Sequence, residues 1–348
     1  MKTLVIGGTQ FVGRHIVTAL LADGDDVTLF HRGLTNPGLF PDAEHRLGDR
    51  NNDLGALASG RWDATIDTSA YVPRQVRSLA EVLGARGGRY VHISSVSAYA
   101  DPLVAGFDED APLAVLDDPA TEVVNEETYG GLKALCERAS HEWFGGIGAG
   151  GSQSRSADGH ASGVPVSIVR PTYVAGPYDH TKRFTWWVER VARGGPVLAP
   201  GPKENPLQVI DARDLAGFVV LLAHGQAAGT FHAVSPAPPF SFEDFLTTVL
   251  NEVGPSGTEL IWVSPEALAK AHVTAAELPL WSGVGAGGDL AASPARAIAA
   301  GLRVRPLAQT VREVHEHELA EPDALTARAP APVGLAPAKE RELLALSG

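Results

Sequence analysis

The first 33 residues constrain this chain more than any other stretch. Thr3 to Ile6 is a short apolar run with β-branched residues, and Gly7, Gly8 and Thr9 follow it directly. Val12, Ile16, Leu20 and Leu21 then recur at helical spacing, Gly24 stands where that helix should stop, and Val27 to Phe30 is a second apolar run. Strand, glycine turn, helix and strand within about 30 residues form a βαβ unit, the opening of a doubly wound parallel sheet. Further short strands are expected at 64–67, 90–94, 166–170, 207–210 and 230–234, with helical patterns at 76–83, 132–143 and 215–223 between most of them. The expected class is α/β.

At 348 residues the chain exceeds the roughly 250–300 residues at which a single core stops growing. We therefore expect a Rossmann-type lobe over 1–175 that returns at 207–234. A smaller C-terminal substrate lobe would comprise 176–206 and 235–320, and 321–348 would be an extended tail with a short helix at 339–346. Residues 145–163, GGIGAGGSQSRSADGHASG, have almost no apolar anchors and are expected to form a mobile surface insertion.

Several function classes fall away on composition. The single cysteine, Cys136, leaves no internal disulfide and no cysteine-based zinc site. The longest apolar run, Leu215 to Ala223, has nine residues, far short of the roughly 20 that span a bilayer. The amino terminus is too briefly apolar for a signal peptide, so a cytoplasmic protein with no membrane partner is expected. A net charge of −13 opposes a nucleic-acid partner, which needs a basic face to displace counterions.

The turn GGTQFVG aims the amino end of a helix at a phosphate position, the arrangement that binds a dinucleotide. Gln10 stands where a middle glycine is usual. The second strand ends Phe30-His31-Arg32-Gly33, with no acid to meet a ribose 2′-hydroxyl. Arg32 can instead meet a 2′-phosphate, which favours NADP over NAD; a solvated turn residue is the plain alternative. Asp49 and Arg50 lie in the LGDR turn, where Asp49 can accept from an adenine amino group or stabilise the turn itself.

The strand at 90–94 runs into Ser94-Ser95, and 34 residues beyond Ser95 comes Tyr129-Gly-Gly-Leu-Lys133. On a helix Tyr129 and Lys133 share a face. A tyrosine near pKa 10 is a poor base at neutral pH, so a neighbouring ammonium would help it exchange protons. Ser95 would hold a substrate oxygen beside it.

The glycine turn, Ser94-Ser95, Tyr129-x-x-x-Lys133 and Arg170-Pro171-x-x-x-x-Gly176-Pro177 together resemble the extended short-chain dehydrogenase/reductases, which include the NAD-dependent epimerase/dehydratase family. The likeness covers about residues 1–320. It implies that Tyr129 is the acid/base, that Lys133 lowers its pKa and binds the nicotinamide ribose, and that Ser95 orients substrate. It implies further that Gly7, Thr9, Gln10, Phe11, Val12 and Gly13 hold the dinucleotide. Thr68, Ser69 and Ala70 would line the cofactor, and Pro171, Thr172 and Val174 would approach the nicotinamide. The implied reaction is hydride transfer at a carbinol/carbonyl carbon of a small-molecule substrate, by a reductase or an epimerase/dehydratase; a homodimer is left open. The same turn and His31-Arg32-Gly33 also resemble an atypical branch with chloroplast stem-loop RNA-binding proteins. An RNA-binding or regulatory protein on this scaffold is the rival reading.

Weaker signals remain. Residues 101–128 carry nine acids and no Lys or Arg, and are expected near the mouth of the site or else as a remote solvated loop. The segment with Lys182, Arg183, Trp186, Trp187, Arg190 and Arg193 reads as a sugar or nucleotide platform, or as an amphipathic helix with core tryptophans and solvated cations. His315 and His317 point apart on a helix, which argues for a surface helix and no metal site. Asp211 and Asp214 are expected to fix a turn and cap a helix, and Cys136 to be an inert packed thiol.

Overall fold

The computed structural model describes residues 1–146, 163–235, 240–283, 291–321 and 333–346. Its elements run β1 (Lys2–Ile6), α1 (Phe11–Ala22), β2 (Asp26–His31), β3 (Glu44–Leu47), β4 (Ala64–Asp67), α2 (Pro73–Leu83), β5 (Arg89–Ile93), α3 (Glu126–Trp143) and β6 (Val166–Pro171). They continue β7 (Tyr173–Ala175), α4 (Arg183–Ala192), β8 (Pro196–Pro200), β9 (Val209–Asp211), α5 (Ala212–Ala223), β10 (Gly229–Ala233) and α6 (Phe242–Val253). Last come β11 (Glu259–Val263), α7 (Pro265–Lys270), α8 (Ala295–Ala299), α9 (Leu307–Ala320) and α10 (Pro337–Leu346).

Seven strands form one sheet in the order β10-β6-β5-β4-β1-β2-β3, every neighbouring pair parallel. The strands are apolar on successive residues because helices cover both faces of the sheet. Ile16 and Leu20 of α1 pack with Leu215 and Val219 of α5 over one face, while Val76 and Leu79 of α2 pack with Cys136 of α3 over the other. The expected doubly wound sheet is what forms, and its strand-to-helix loops gather at the carboxyl edge. A second core surrounds the β8–β11 pair, where Phe184 and Trp187 of α4 meet Phe242 and Phe245 of α6 and Val311 of α9.

The structure departs from the sequence reading in four places. The strand expected at 207–210 does not return to the large sheet: β9 pairs with β7 in a sheet of two, and only α5 and β10 rejoin the main layer. The tryptophans are core, but the cations around them are not all solvated. Arg190 is buried, with Nε 2.7 Å from Glu340, and Lys182 pairs with Glu318. That Arg190–Glu340 contact and the buried Leu343 dock α10 on the second core, so the chain's last helix is packed. The helix with His315 and His317 is no free surface helix either, since Thr310, Val311 and Val314 are buried and the His317 ring meets Tyr178 with centroids 4.3 Å apart. Most of the expected insertion at 145–163, and most of the tail ahead of α10, lie outside the described residues. Cys136 is fully buried, which pushes its thiol up to about 12.

Buried histidines give the fold a pH dependence. His92 of β5 is wholly buried; its Nδ1 donates to Ser140 Oγ at 2.9 Å, because the Ser140 hydroxyl proton goes to the Cys136 carbonyl. Burial and the nearby Lys133 hold the imidazole down at about 3. His15, His31, His141 and His232 are lowered by burial as well. The folded state therefore binds fewer protons than the unfolded chain below about pH 6.5, and stability falls as pH falls. His92 alone should remove about 2 kcal/mol between pH 7.5 and pH 5. Urea unfolding at the two pH values checks this, and His92→Asn should flatten the dependence; an equal slope in both proteins would refute the assignment to His92.

Candidate functional site

The loops after β1, β2, β3 and β4 enclose a cavity of about 390 Å³, with the glycine turn as its floor. Gly7 sits at φ +100°, and a Cβ there would lie 2.5 Å from Thr68 Oγ1. At Gly13 a Cβ would lie 2.8 Å from the backbone nitrogen of Gly8. The turn can therefore lie flat beneath a ligand only with these two residues bare. The α1 amino end follows: Gln10, its N-cap, makes no side-chain capping bond, and the first turn holds no acid. Its leading N–H groups are left for an anion.

At the rim, Arg32 is exposed and has no ion pair among the described residues. His31, just before it, has both ring nitrogens engaged. Nδ1 accepts from the Gly33 N–H at 3.0 Å and Nε2 faces His45 Nδ1 at 2.8 Å, while His45 Nε2 donates to the Phe40 carbonyl at 3.0 Å. This chain assigns both rings as neutral and shapes the turn that presents Arg32. Asp49 lines the cavity and also accepts from the Asn51 N–H at 2.9 Å, so its turn-stabilising part is visible. Arg50 lines it too; its two Nη atoms form bonds of 2.7 and 2.9 Å to Asp67 and one of 3.0 Å to Ser69 Oγ, while its Nε is buried without a partner among the described residues. That buried pair holds the Asp67 carboxyl far below the usual range and shapes the wall.

The cavity collects Gly7, Thr9, Gln10, Phe11, Val12, Gly13, Arg32, Asp49, Arg50, Thr68 and Ser69 from the expected set. It does not reach Ala70, Ser95, Tyr129, Lys133, Pro171, Thr172 or Val174, which continue beyond it along the carboxyl edge of β4–β6. There the Lys133 ammonium is buried and donates to the carbonyls of Ala70 and Ile93 at 3.0 and 2.7 Å. Two of its three N–H groups are thus used. Tyr129, on the same face of α3, meets Ser95, whose hydrogen bond favours the phenolate. The Thr172 hydroxyl is buried without a partner.

One implied property runs the other way. With the protein's own groups alone, burial dominates at Tyr129 and pushes its phenol up, and burial lowers Lys133. Desolvation outweighs the Ser95 bond, and Lys133 faces carbonyls.

Sequence reasoning missed a buried network behind this trio. Glu137, one turn beyond Lys133, accepts from Ser94 Oγ at 2.5 Å and from Arg170 Nε and NH2 at 2.9 and 2.6 Å. Arg170 also donates to the Tyr99 hydroxyl and to the Glu109 carbonyl, and Tyr99 bonds His232. Glu109, from the acidic segment, is buried and takes the His232 N–H at 2.9 Å. Glu122 pairs with Arg74, and Asp110 with Arg296. The acidic segment is therefore latched to the strand ends, partly neutralised. No sequence pattern marks such a network, because its members lie up to 133 residues apart. Asp211 caps α5 as expected, while Asp214 holds Arg305.

A parallel sheet whose carboxyl edge carries a glycine cradle, and beside it a serine, a tyrosine and a lysine, defines a nucleotide-binding α/β protein. The chain belongs to the NAD dependent epimerase/dehydratase family, whose profile matches residues 3–234. It is 23% identical over 283 residues to the chloroplast stem-loop binding protein of 41 kDa b of Arabidopsis thaliana, covering 76% of this chain and 66% of that protein, a little under two thirds. It is 27% identical over 298 residues to a 3 beta-hydroxysteroid dehydrogenase/Delta 5→4-isomerase of Mycobacterium tuberculosis, covering 75% and 74% of the two chains. Its fold is similar to the crystal structure of UDP-glucuronic acid 4-epimerase from Bacillus cereus in complex with NAD, with TM-score 0.64, 16% identity, and 93% and 99% of the chains covered. Among the described residues no helix is long and apolar enough to cross a membrane.

The Glu137–Arg170 pair yields a prediction. Glu137→Leu leaves a buried, uncompensated guanidinium and should destabilise the fold by about 3–5 kcal/mol. Glu137→Leu with Arg170→Met should recover most of that loss in urea unfolding; a double variant no more stable than the single one would refute the account.

Proposed function

We propose that this chain is an NAD(P)-dependent oxidoreductase of the extended short-chain dehydrogenase/reductase type, acting as a reductase or an epimerase/dehydratase on a carbinol/carbonyl carbon. The observation that carries the reading is the Tyr129–Ser95 contact beside buried Lys133, in line with the glycine cradle. The cradle fits a dinucleotide: bare glycines allow close approach, and an uncapped helix end faces the diphosphate. When bound, the nicotinamide supplies hydride exchange and, oxidised, a positive charge. Tyr129 gives or takes the hydroxyl proton of the substrate, and Ser95 holds the same oxygen in reach. The remaining N–H of Lys133 is available to a ribose hydroxyl. Because burial raises the Tyr129 phenol, its use as a base depends on positive charge arriving with the cofactor.

NADP is the favoured cofactor. Residue 31 is a histidine with both nitrogens engaged, and Arg32 stands exposed beside it without a carboxylate. The likeness to a stem-loop binding protein supports a rival reading, RNA binding on the same scaffold. The net charge of −13 opposes it, and tight retention of RNA on filters at physiological salt would favour it.

Two measurements test the proposal. In fluorescence titrations NADPH should bind more tightly than NADH, and Arg32→Ala should weaken NADPH by about ten-fold or more with NADH unchanged; equal losses for both would refute the 2′-phosphate contact. On a substrate found by screening, Tyr129→Phe should lower kcat by about 10²–10⁴-fold, and wild-type turnover in that variant would end the acid/base assignment.

A further inference from the structure

The loop between β7 and α4 reaches the cavity through His180, and it holds polar atoms that no described residue satisfies. His180 lines the cavity together with the glycine turn, although it lies far along the chain from it. Its ring meets Phe11, the first residue of α1, edge-on with centroids 6.3 Å apart, so the imidazole stands at the amino end of that helix. His180 Nδ1 is buried without a hydrogen-bond partner. The neighbouring Asp179 is 3% exposed; its Oδ1 accepts from the Thr181 N–H and hydroxyl at 2.8 Å each, and its Oδ2 is buried and unpartnered.

The loop is held in place. His15 Nε2 donates to the Pro177 carbonyl at 2.9 Å, and the Arg14 guanidinium lies 3.4 Å over the Tyr178 ring. Tyr178 and Lys182 keep φ values of 67° and 55°, a conformation that side-chain-bearing residues rarely adopt. A braced loop in this backbone state that seats at the cavity a histidine with an unsatisfied ring nitrogen calls for a ligand group there.

We propose that His180 is a cofactor-binding residue that closes over the dinucleotide's diphosphate from the side opposite the glycine turn, an assignment that rests on the dinucleotide-dependent function proposed above. The α1 amino end directs N–H groups at the diphosphate from below, and His180 Nδ1–H donates to a phosphate oxygen from above. Burial pushes the Asp179 carboxyl up from the usual carboxylate range. Of the other charges at the loop, Arg183 from α4 and Arg14 from α1 are cationic, and Glu318 from α9 is paired with Lys182.

The test is binding, not turnover. NADPH is titrated by fluorescence into wild-type protein, His180→Leu and His180→Gln, and adenosine 2′-monophosphate, which lacks the diphosphate, is titrated as a displacing probe. His180→Leu should lose about ten-fold or more in NADPH affinity. His180→Gln, which keeps an N–H donor, should lose less, and the monophosphate should bind all three alike. Equal NADPH affinity in wild type and His180→Leu overturns the assignment, as does a matching loss for the monophosphate. Should His180→Leu fail to fold, His180→Ala, which carries no side-chain donor, takes its place with the same expected loss. A wild-type protein that binds neither NADPH nor NADH overturns the functional reading itself, which separates that failure from one confined to His180.

Discussion

Backbone lies against backbone where α1 leaves the first strand, and the site is built on that contact. A Cβ on Gly13 would come within 2.8 Å of the Gly8 nitrogen and 2.9 Å of its Cα. No rotamer change relieves a clash between main chains. With both residues bare, α1 starts directly under the cavity and its unpaired N–H groups face the ligand position. The parallel sheet then does the rest of the placing. Strands buried on both faces leave only their ends for chemistry, so Asp49, Thr68, Ser95 and Thr172 follow one another along a single edge.

Burial and charge oppose each other at the second half of that edge. Removing Tyr129 and Lys133 from water disfavours the phenolate and the ammonium alike, and both pKa values move in the unhelpful direction. The protein offsets this for the lysine with two carbonyl acceptors, and for the tyrosine with Ser95. The trio needs a rigid frame, which the Glu137–Arg170–Tyr99 network supplies by tying α3 to the ends of β5 and β6. Ser94 belongs to this frame, while its neighbour Ser95 accepts from the Ser97 N–H in the turn after β5 and also faces Tyr129.

Local periodicity made the sheet legible: β1, β4, β5, β6 and β10 are apolar runs bounded by turns, and their observed limits differ from the expected ones by a residue or so. Tyr129 and Lys133 were legible because helical spacing fixes their common face before any tertiary contact is known. Partners brought together from distant parts of the chain were not. Arg190 was read as solvated because Glu340 lies 150 residues away. Arg50 lines the cavity, but its pairing with Asp67 was not legible, because Asp67 sits across a strand connection. The β9 segment has a strand's composition, yet a three-residue strand carries no signal for which sheet it joins.

The charge distribution follows from the same pairing. A protein of net −13 repels an anionic cofactor at long range, within the screening length of the solution. Ion pairing offsets part of that repulsion. Asp67 is neutralised by Arg50, and within the acidic segment Glu109 and Asp110 meet Arg296 and Glu122 meets Arg74. Arg32 stands exposed at the rim without such a partner among the described residues. Asp49 lines the cavity with no ion pair among the described residues, so pairing reduces the negative charge around the site without removing it, and Arg32 is the exposed cation beside it. Removing Arg32 therefore takes away that exposed cation, whereas removing one of the paired arginines would bare a carboxylate and add repulsion of the anion.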